Sequence, residues 1–193
     1  METEMLDVIR DNPVATMIVV SEVGLWVLLA AGMIARYLLR LRSMGAALLW
    51  GIPLLDVALI VAAAVDLHRG AQPGLIHGLA GVYLGVSVAF GPAIVRWADV
   101  RFAHRFAGGP APVKPAKGTP EKVAALWQEW NRAVLAATIA SVALGLIIVT
   151  VAEGEQATSL WWWVGRSWTV VGLWLVFGPL WEEMSSPRKA KQS

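Results

Sequence analysis

Five long apolar windows, separated by short charged segments, dominate the pattern of this chain. They cover residues 14–38, 45–67, 74–98, 133–152 and 158–181. About 20 apolar residues are needed for a helix to cross a hydrocarbon core of about 30 Å, and each window is long enough. Because backbone polar groups cannot stay unpaired in lipid, we expect each window to be helical. The pattern therefore predicts an all-α membrane protein with five transmembrane helices.

The charged residues between the windows predict the orientation of these helices. Arginine and lysine concentrate after the first and third windows and in the C-terminal tail, whereas the N-terminal segment is acidic and the loop before the fifth window holds Glu153 and Glu155 without a base. Basic loops favour the cytoplasmic side of a membrane. We therefore expect the N-terminus to lie outside and the C-terminus inside.

The same pattern divides the chain into five parts. The parts are an extracytoplasmic segment (1–13), helices 1–3 (14–106), a cytoplasmic linker rich in Pro, Gly and Lys (107–119), an amphipathic lead-in with helices 4–5 (120–184), and a basic cytoplasmic tail (185–193). The lead-in has the signature of a helix start, with Thr119 as N-cap, Pro120 at the first helical position and Glu121 in the first turn.

Composition narrows the possible chemistry. Of the 193 residues 57% are hydrophobic, 16% are charged and none is cysteine, which excludes disulfides, thiolate metal sites and cysteine nucleophiles. No zinc-protease, serine-hydrolase or phosphate-loop motif occurs, so we predict neither an enzyme nor a cofactor. The chain has a net charge of +2, and its Lys and Arg residues are concentrated at the predicted cytoplasmic rim. This distribution favours binding to anionic lipid headgroups over binding to nucleic acid.

Three ionisable residues inside the windows are the main candidate site. Asp56 lies about halfway along the second span, while Glu22 and Arg166 lie at similar depths in the first and fifth spans. Charged groups at such depths are rare and mark function by default. We therefore predict an intramembrane polar site from Asp56, Glu22 and Arg166, in which the last two form an interhelical ion pair.

Asp56 has a second interpretation. It follows Pro53 by three residues, and a proline removes a backbone donor and kinks or breaks a helix. A carboxyl group beside such a kink can bind a cation, carry a proton or meet a polar ligand. Alternatively, a protonated Asp56 hydrogen-bonds a neighbouring helix and serves only to hold the two helices together.

Small residues predict which helices pack closely. Candidate contact positions in the third and fourth spans are Gly81, Gly85, Ala133, Ala137, Ser141 and Gly145. Such residues let helix backbones approach in lipid. A weak repeat also aligns Leu84–Pro92 with Val171–Pro179, which indicates either duplicated hairpins or chance recurrence of apolar residues.

Histidines and tryptophans are weaker candidates for ligand binding. His68, His77 and Asp66 flank one outer loop and form a weak metal candidate, and axial haem ligation by the two histidines is weaker still. Solvated histidines are the alternative. The tryptophans near both membrane boundaries are typical of an aromatic belt. Trp168 and Trp174 are the candidates to line a ligand site instead.

The stretch Val95–Pro110, VRWADVRFAHRFAGGP, resembles small uncharacterised integral membrane proteins of bacteria. The resemblance covers mainly the first three spans and implies a location in the bacterial cytoplasmic membrane, without any activity. Within the stretch Arg96, Arg101 and Arg105 form a basic collar, and we expect Asp99 to pair with it.

These observations favour a non-enzymatic membrane protein that assembles with itself or with another membrane protein. The main alternative is a small transporter or channel for an ion, a proton or a small polar solute, built around Asp56 with Glu22 and Arg166. A further alternative is a lipid-binding or cofactor-binding membrane protein. In every case the lipid bilayer is a partner.

Overall fold

The computed structural model describes residues 13–106 and 108–185, and within these ranges it leaves out the side chains of residues 13–22, 25, 42 and 106. All regular structure in the described part is helical, which confirms the all-α class. The acidic segment before residue 13, the tail after residue 185 and the side chain of Glu22 lie outside this description.

Five long helices follow the five apolar windows. They are α1 (Pro13–Tyr37), α2 (Arg42–His68), α3 (Leu75–Phe106), α4 (Pro120–Thr150) and α5 (Glu155–Leu175), followed by a π-helical turn (Val176–Leu180) and the short helix α6 (Trp181–Ser185). The long helices α3 and α4 both extend beyond the windows, because polar residues at their ends continue the helix.

The linker between α3 and α4 is bounded by local backbone chemistry. α3 stops where Gly108 adopts a φ of 64°, and the amide of Gly109 donates to the carbonyl of Ala103 at 3.0 Å. α4 begins where the Thr119 hydroxyl accepts from the amide of Lys122 at 3.3 Å. This confirms Thr119 as N-cap and makes the amphipathic lead-in one continuous helix with the fourth window.

Three prolines lie inside the described helical segments, and their local structures differ. α2 runs through Pro53 as one uninterrupted helix, so the predicted break beside Asp56 was wrong. Pro92 is likewise accommodated within α3, whereas the matching Pro179 lies in the π-helical turn. Pro179 is fully buried and Pro92 is exposed, so the surroundings of the two Phe-Gly-Pro triplets differ.

The long helices pack in chain order. α1 contacts α2, α2 contacts α3, α3 contacts α4 and α4 contacts α5, which also reaches back to α3. Short connections make neighbours antiparallel. One end of the bundle therefore carries the linker and α6, and we call it the linker end. The far end carries the α2–α3 and α4–α5 loops.

The buried core is small, and much of the apolar surface is outside. At the far end Leu67, Leu144, Ile147 and Leu160 form a buried cluster from three helices. Large side chains such as Trp50 remain 72% exposed, as expected for a surface that faces lipid. Among the described residues, three helices are long and apolar enough to cross a membrane, namely those at Ser43–His68, Leu75–Arg105 and Pro120–Thr150.

Candidate functional site

Asp56 is buried between α2 and α3. It is only 5% exposed, and the hydroxyl of Ser87 on α3 is placed to hydrogen-bond its carboxyl group. Its Oδ2 atom has no hydrogen-bond partner among the described residues. A buried polar atom without a partner costs about 1–3 kcal/mol. The chain thus carries a costly group at mid-span, facing another helix rather than lipid.

The surroundings of Asp56 are tightly packed. Leu59 and Ala63, which follow it on α2, form a buried cluster with Ala80 of α3. Among the described residues, Asp56 lines neither the cavity beside Arg166 nor the cavity between the two far-end loops. The arrangement of the described residues provides an interhelical polar contact between Asp56 and α3.

The other two members of the predicted polar site lie elsewhere. Arg166 is exposed on α5, and its guanidinium carbon lies 5.4 Å from the centre of the Trp163 ring. Glu22 belongs to α1, and its side chain is outside the described part. α1 packs on α2, whereas α5 packs on α4 and α3 and meets α2 around Leu67, eleven residues beyond Asp56. The structure therefore does not bring Arg166 to Asp56, and the pairing of Arg166 with Glu22 stays a prediction.

The two candidate tryptophans have structural partners. The indole N–H of Trp168 donates to the hydroxyl of Ser141 on α4 at 3.1 Å. Trp174 stacks on Phe90 of α3, with ring centres 6.1 Å apart and planes 22° from parallel. Neither side chain points toward a cavity shared with Asp56, so the structure places both at contacts of α5 with its neighbours.

The glycines of α3 lie where other helices approach closely. A methyl group placed on Gly81 would lie 2.7 Å from Cγ of Leu144, and one placed on Gly85 would collide with the carbonyl oxygen of Ala136. Ala133 and Ala137 of α4 are buried. Gly145, in contrast, has nothing within 4 Å of that position, so it takes no part in close packing within one chain.

His77 and Asp66 interact at the far end of the bundle. Nδ1 of His77 accepts from the amide of Gly74 at 3.0 Å, and Nε2 lies 3.1 Å from Oδ2 of Asp66. The first contact places the proton of the neutral ring on Nε2, which donates to Asp66. His77 is 3% exposed, and both of its ring nitrogens are used in holding the α2–α3 loop.

His68 lies apart from this pair, in a polar cavity of about 410 Å³ between the two far-end loops. Glu153, Glu155 and Gln156 also line this cavity. No group of three or more His, Asp or Glu side chains arranged to hold a metal ion occurs in the part of the chain that the structure describes. His68, His77 and Asp66 therefore do not converge on one point.

Gln156 joins the two far-end loops and was not singled out in the sequence. Its Nε2 donates to the carbonyls of Ala71 at 2.9 Å and Leu67 at 3.2 Å, while its Oε1 accepts from the amide of Glu153 at 3.1 Å. A glutamine in a short polar loop carries no pattern that would mark it. Only the folded arrangement shows that it ties α5 to α2.

A bidentate ion pair joins α1 to α3 at the linker end. Nε and Nη2 of Arg36 donate to the two carboxylate oxygens of Asp99 at 2.9 and 2.8 Å. Tyr37 stacks on Phe102 beside it, with ring centres 4.4 Å apart. The expectation that Asp99 pairs with the basic collar was wrong. Within that collar Arg101 lies 4.0 Å above the centre of the Trp97 ring instead.

A known protein matches most of the chain. The uncharacterized membrane protein YmcC of Bacillus subtilis (strain 168) is 33% identical over 161 residues, which is 83% of this chain and 85% of the relative. The chain belongs to the YmcC family. Neither a protein-family model nor a solved structure matches it at a significant level.

Membership in the YmcC family confirms the resemblance to uncharacterised bacterial membrane proteins. Together with the three helices long and apolar enough to span a bilayer, it shows that the chain is a membrane protein. The name of the relative carries no activity. The functional inference therefore rests on the geometry of this chain.

Proposed function

We propose that this YmcC-family protein is a non-enzymatic, five-span protein of the bacterial cytoplasmic membrane that acts by assembling with a second copy of itself or within a larger membrane complex. The N-terminus lies outside and the C-terminus inside. The observation that carries the assembly proposal is an open face of α5, formed by Gly165, Thr169 and Gly172.

The two glycines of this face make no close contact with another helix among the described residues. Nothing lies within 4 Å of a methyl group placed on Gly165 or Gly172. Within a helix, glycine costs about 1 kcal/mol relative to alanine. Gly81 and Gly85 of α3 offset that cost because another helix lies against them. By the same reasoning Gly165 and Gly172 suit close approach by a helix from another chain.

Thr169 extends the same exposed face. Positions 165, 169 and 172 follow the four-three spacing that keeps residues on one side of a helix, and all three are exposed. The Thr169 hydroxyl donates to the carbonyl of Gly165 at 2.9 Å, so it presents no unpaired donor to the membrane. This face can meet lipid or a second helix without an unsatisfied polar group.

Charge and helix length support the proposed topology. The linker carries Lys114 and Lys117, whereas the α4–α5 loop carries Glu153 and Glu155. α4 connects these two segments and is long enough to span the bilayer. The basic end then faces the cytoplasm and its anionic lipids. α5 carries three consecutive tryptophans at its proposed outer end, as is common where a transmembrane helix crosses the membrane–water interface.

The mechanism needs neither a cofactor nor a catalytic set. No nucleophile is hydrogen-bonded to a base among the described side chains, and most of the described residues belong to helices. The chain offers helix surfaces rather than a chamber for a substrate. We therefore expect its activity to be the ordering of other membrane helices.

Native mass spectrometry in a mild detergent tests the assembly. We expect the wild-type chain to form a defined oligomer, and Gly172→Leu to shift it strongly toward monomer because the larger side chain blocks helix approach. Gly91→Leu is the matched control, since Gly91 on α3 is equally open. A Cβ atom at either position has nothing within 4 Å, so we expect neither substitution to unfold the chain.

Two outcomes would count against the proposal. A wild-type chain that is a monodisperse monomer and captures no other membrane protein would remove its basis. Equal loss of oligomer in Gly172→Leu and Gly91→Leu would show that the α5 face is not the contact surface.

A further inference from the structure

Arg166 is an exposed cation in the middle of an apolar helix. It lies in the fifth span, beyond the tryptophans Trp161–Trp163. None of the described acidic residues forms an ion pair with it. A guanidinium group at this depth is costly unless it reaches the interface or meets an anion. The exposed face around Arg166 therefore requires an explanation that packing within one chain does not provide.

The guanidinium group of Arg166 lies beside the ring of Trp163, which is about one turn nearer the outer end of α5. Arg166 follows Trp163 by three residues, about 4.5 Å deeper at the helical rise, yet its guanidinium carbon lies 5.4 Å from the centre of the Trp163 ring. Trp163 itself packs over Gly78 of α3, where any larger residue would collide with the ring. In the proposed topology, a long Arg166 side chain beside this indole can reach toward the outer headgroup layer.

A shallow cavity opens at this point. It has a volume of about 270 Å³ and is lined by Ser159, Trp162, Trp163 and Arg166. A hydroxyl and a guanidinium group both donate hydrogen bonds, and guanidinium matches the paired oxygens of a phosphate. The cavity is smaller than the roughly 300–1,000 Å³ of pockets that enclose a whole small molecule. It has room for a headgroup whose remaining atoms lie outside.

An apolar track continues from Arg166 along the helix. Val170 and Leu173 follow at intervals of four and three residues, and both are more than half exposed. This spacing places them on the same side of the helix as Arg166. They lead from the cavity toward the middle of the proposed membrane, where acyl chains run.

From these observations we infer that α5 binds one anionic phospholipid of the outer leaflet. The phosphate is held by Arg166 and Ser159 between Trp162 and Trp163, and an acyl chain lies along Val170 and Leu173. Charge complementarity selects the occupant, because the exposed guanidinium group of Arg166 forms no ion pair with any described acidic residue.

This inference rests on the proposed five-span topology but not on self-assembly. The lipid track and the open glycine face lie on different sides of α5, since adjacent residues such as Gly165 and Arg166 point about 100° apart. Oligomer and bound lipid are read separately in one mass spectrum. Loss of lipid with the oligomer retained, or the reverse, therefore distinguishes the two proposals.

Lipid retention by the purified protein tests the site. The protein is equilibrated with mixed micelles containing equal amounts of phosphatidylglycerol and phosphatidylcholine, and retained lipids are counted by native mass spectrometry. We expect phosphatidylglycerol to be retained preferentially, and Arg166→Gln to lower its retention about five-fold. Arg166→Lys should lie between, because lysine keeps the charge but loses the planar fork.

Arg69→Gln is the matched control. Arg69 is also exposed and lies near the same end of the bundle, so its substitution removes the same charge outside the proposed site. We expect its lipid retention to equal that of the wild type. A rise in ionic strength should reduce phosphatidylglycerol retention by the wild type more than by Arg166→Gln, because salt screens the charge pair.

Three results would overturn the inference. The first is equal retention of phosphatidylglycerol by the wild type and Arg166→Gln. The second is an equal loss in Arg69→Gln, which would indicate a general charge effect. The third is displacement of the bound lipid by millimolar glycerol phosphate, which would identify a soluble phosphate ester as the preferred occupant rather than a lipid.

Discussion

At the scale of single residues, substitutions of Asp56 can distinguish a structural role of its carboxyl group from a chemical one. Its carboxyl group faces Ser87 across the α2–α3 contact, and α2 passes Pro53 without a break. The polar group is thus built into a regular helix pair. If its task is to hold that pair together, a neutral group of the same shape should serve nearly as well.

Asp56→Asn and Asp56→Ala test this task. We expect Asp56→Ala to lower the free energy of unfolding by about 1–2 kcal/mol, because it removes an interhelical hydrogen bond and leaves a void. Asp56→Asn should stay within about 0.5 kcal/mol of the wild type, since the amide retains polar atoms at the same positions. Reversible unfolding in mixed micelles measures both values, with Val57→Ala on the exposed side as control. Equal destabilisation by Asn and Ala would contradict the structural role.

The ion pair between Arg36 and Asp99 makes a second residue-scale prediction. Both side chains are largely buried, at 24% and 30% exposure. Exposed pairs contribute up to about 1 kcal/mol and loss of one member of a buried pair costs about 3–5 kcal/mol. We expect Arg36→Gln and Asp99→Asn each to cost about 1–2 kcal/mol, and the double variant to cost clearly less than their sum. Strict additivity in the same unfolding assay, with Arg105→Gln as control, would show that the two side chains are not coupled.

At the scale of elements, the two Phe-Gly-Pro triplets end in different backbone structures. The π-helical turn around Pro179 is followed by α6, whose Glu182 side chain accepts a hydrogen bond from the amide of Gly118 at 2.7 Å. Prolines remove the donor that an α-helix needs, and π-turns absorb one extra residue. The turn therefore sets the direction in which α6 presents Glu182 to the linker.

Pro179→Ala should restore α-helical geometry in this segment and rotate α6. We expect the amide of Gly118 to exchange with solvent about ten-fold faster, because it loses the carboxylate that protects it. Hydrogen exchange measured by mass spectrometry reports this directly. Pro92→Ala is the matched control, since Pro92 sits in an ordinary part of α3. Unchanged protection of Gly118 in Pro179→Ala would show that the turn does not position α6.

Helix positions were predictable from the sequence because they depend on local hydrophobic runs and breakers. The N-cap at Thr119 and the end of α3 just before the Gly108–Gly109 pair follow from neighbouring residues alone. Partner choice was less predictable, because it depends on rotation and register between helices. Asp99 therefore pairs with Arg36, which is 63 residues away, and Gln156 reaches the carbonyl of Leu67. The candidate site illustrates the same limit, since similar depth along two spans does not show whether Asp56 and Arg166 face each other.

At the scale of the whole molecule, the alternation of loops across the bilayer is the property on which both proposals depend. The chain contains no cysteine, so single cysteines can be introduced and labelled without background. Suitable positions are exposed in four successive connections, at Leu39, Gln72, Val113 and Glu153.

We expect a membrane-impermeant maleimide to label Gln72→Cys and Glu153→Cys in intact cells, because these loops lie outside. Leu39→Cys and Val113→Cys should react only after the cells are permeabilised, since the positive segments next to them stay in the cytoplasm. A permeant maleimide that labels all four is the control for reactivity, and Val113 is 91% exposed in the fold. Labelling of Val113 and Glu153 from the same side would show that α4 does not cross the bilayer. The opposite labelling pattern at all four positions would show that the protein has the inverted orientation, with Arg166 near the cytoplasmic leaflet.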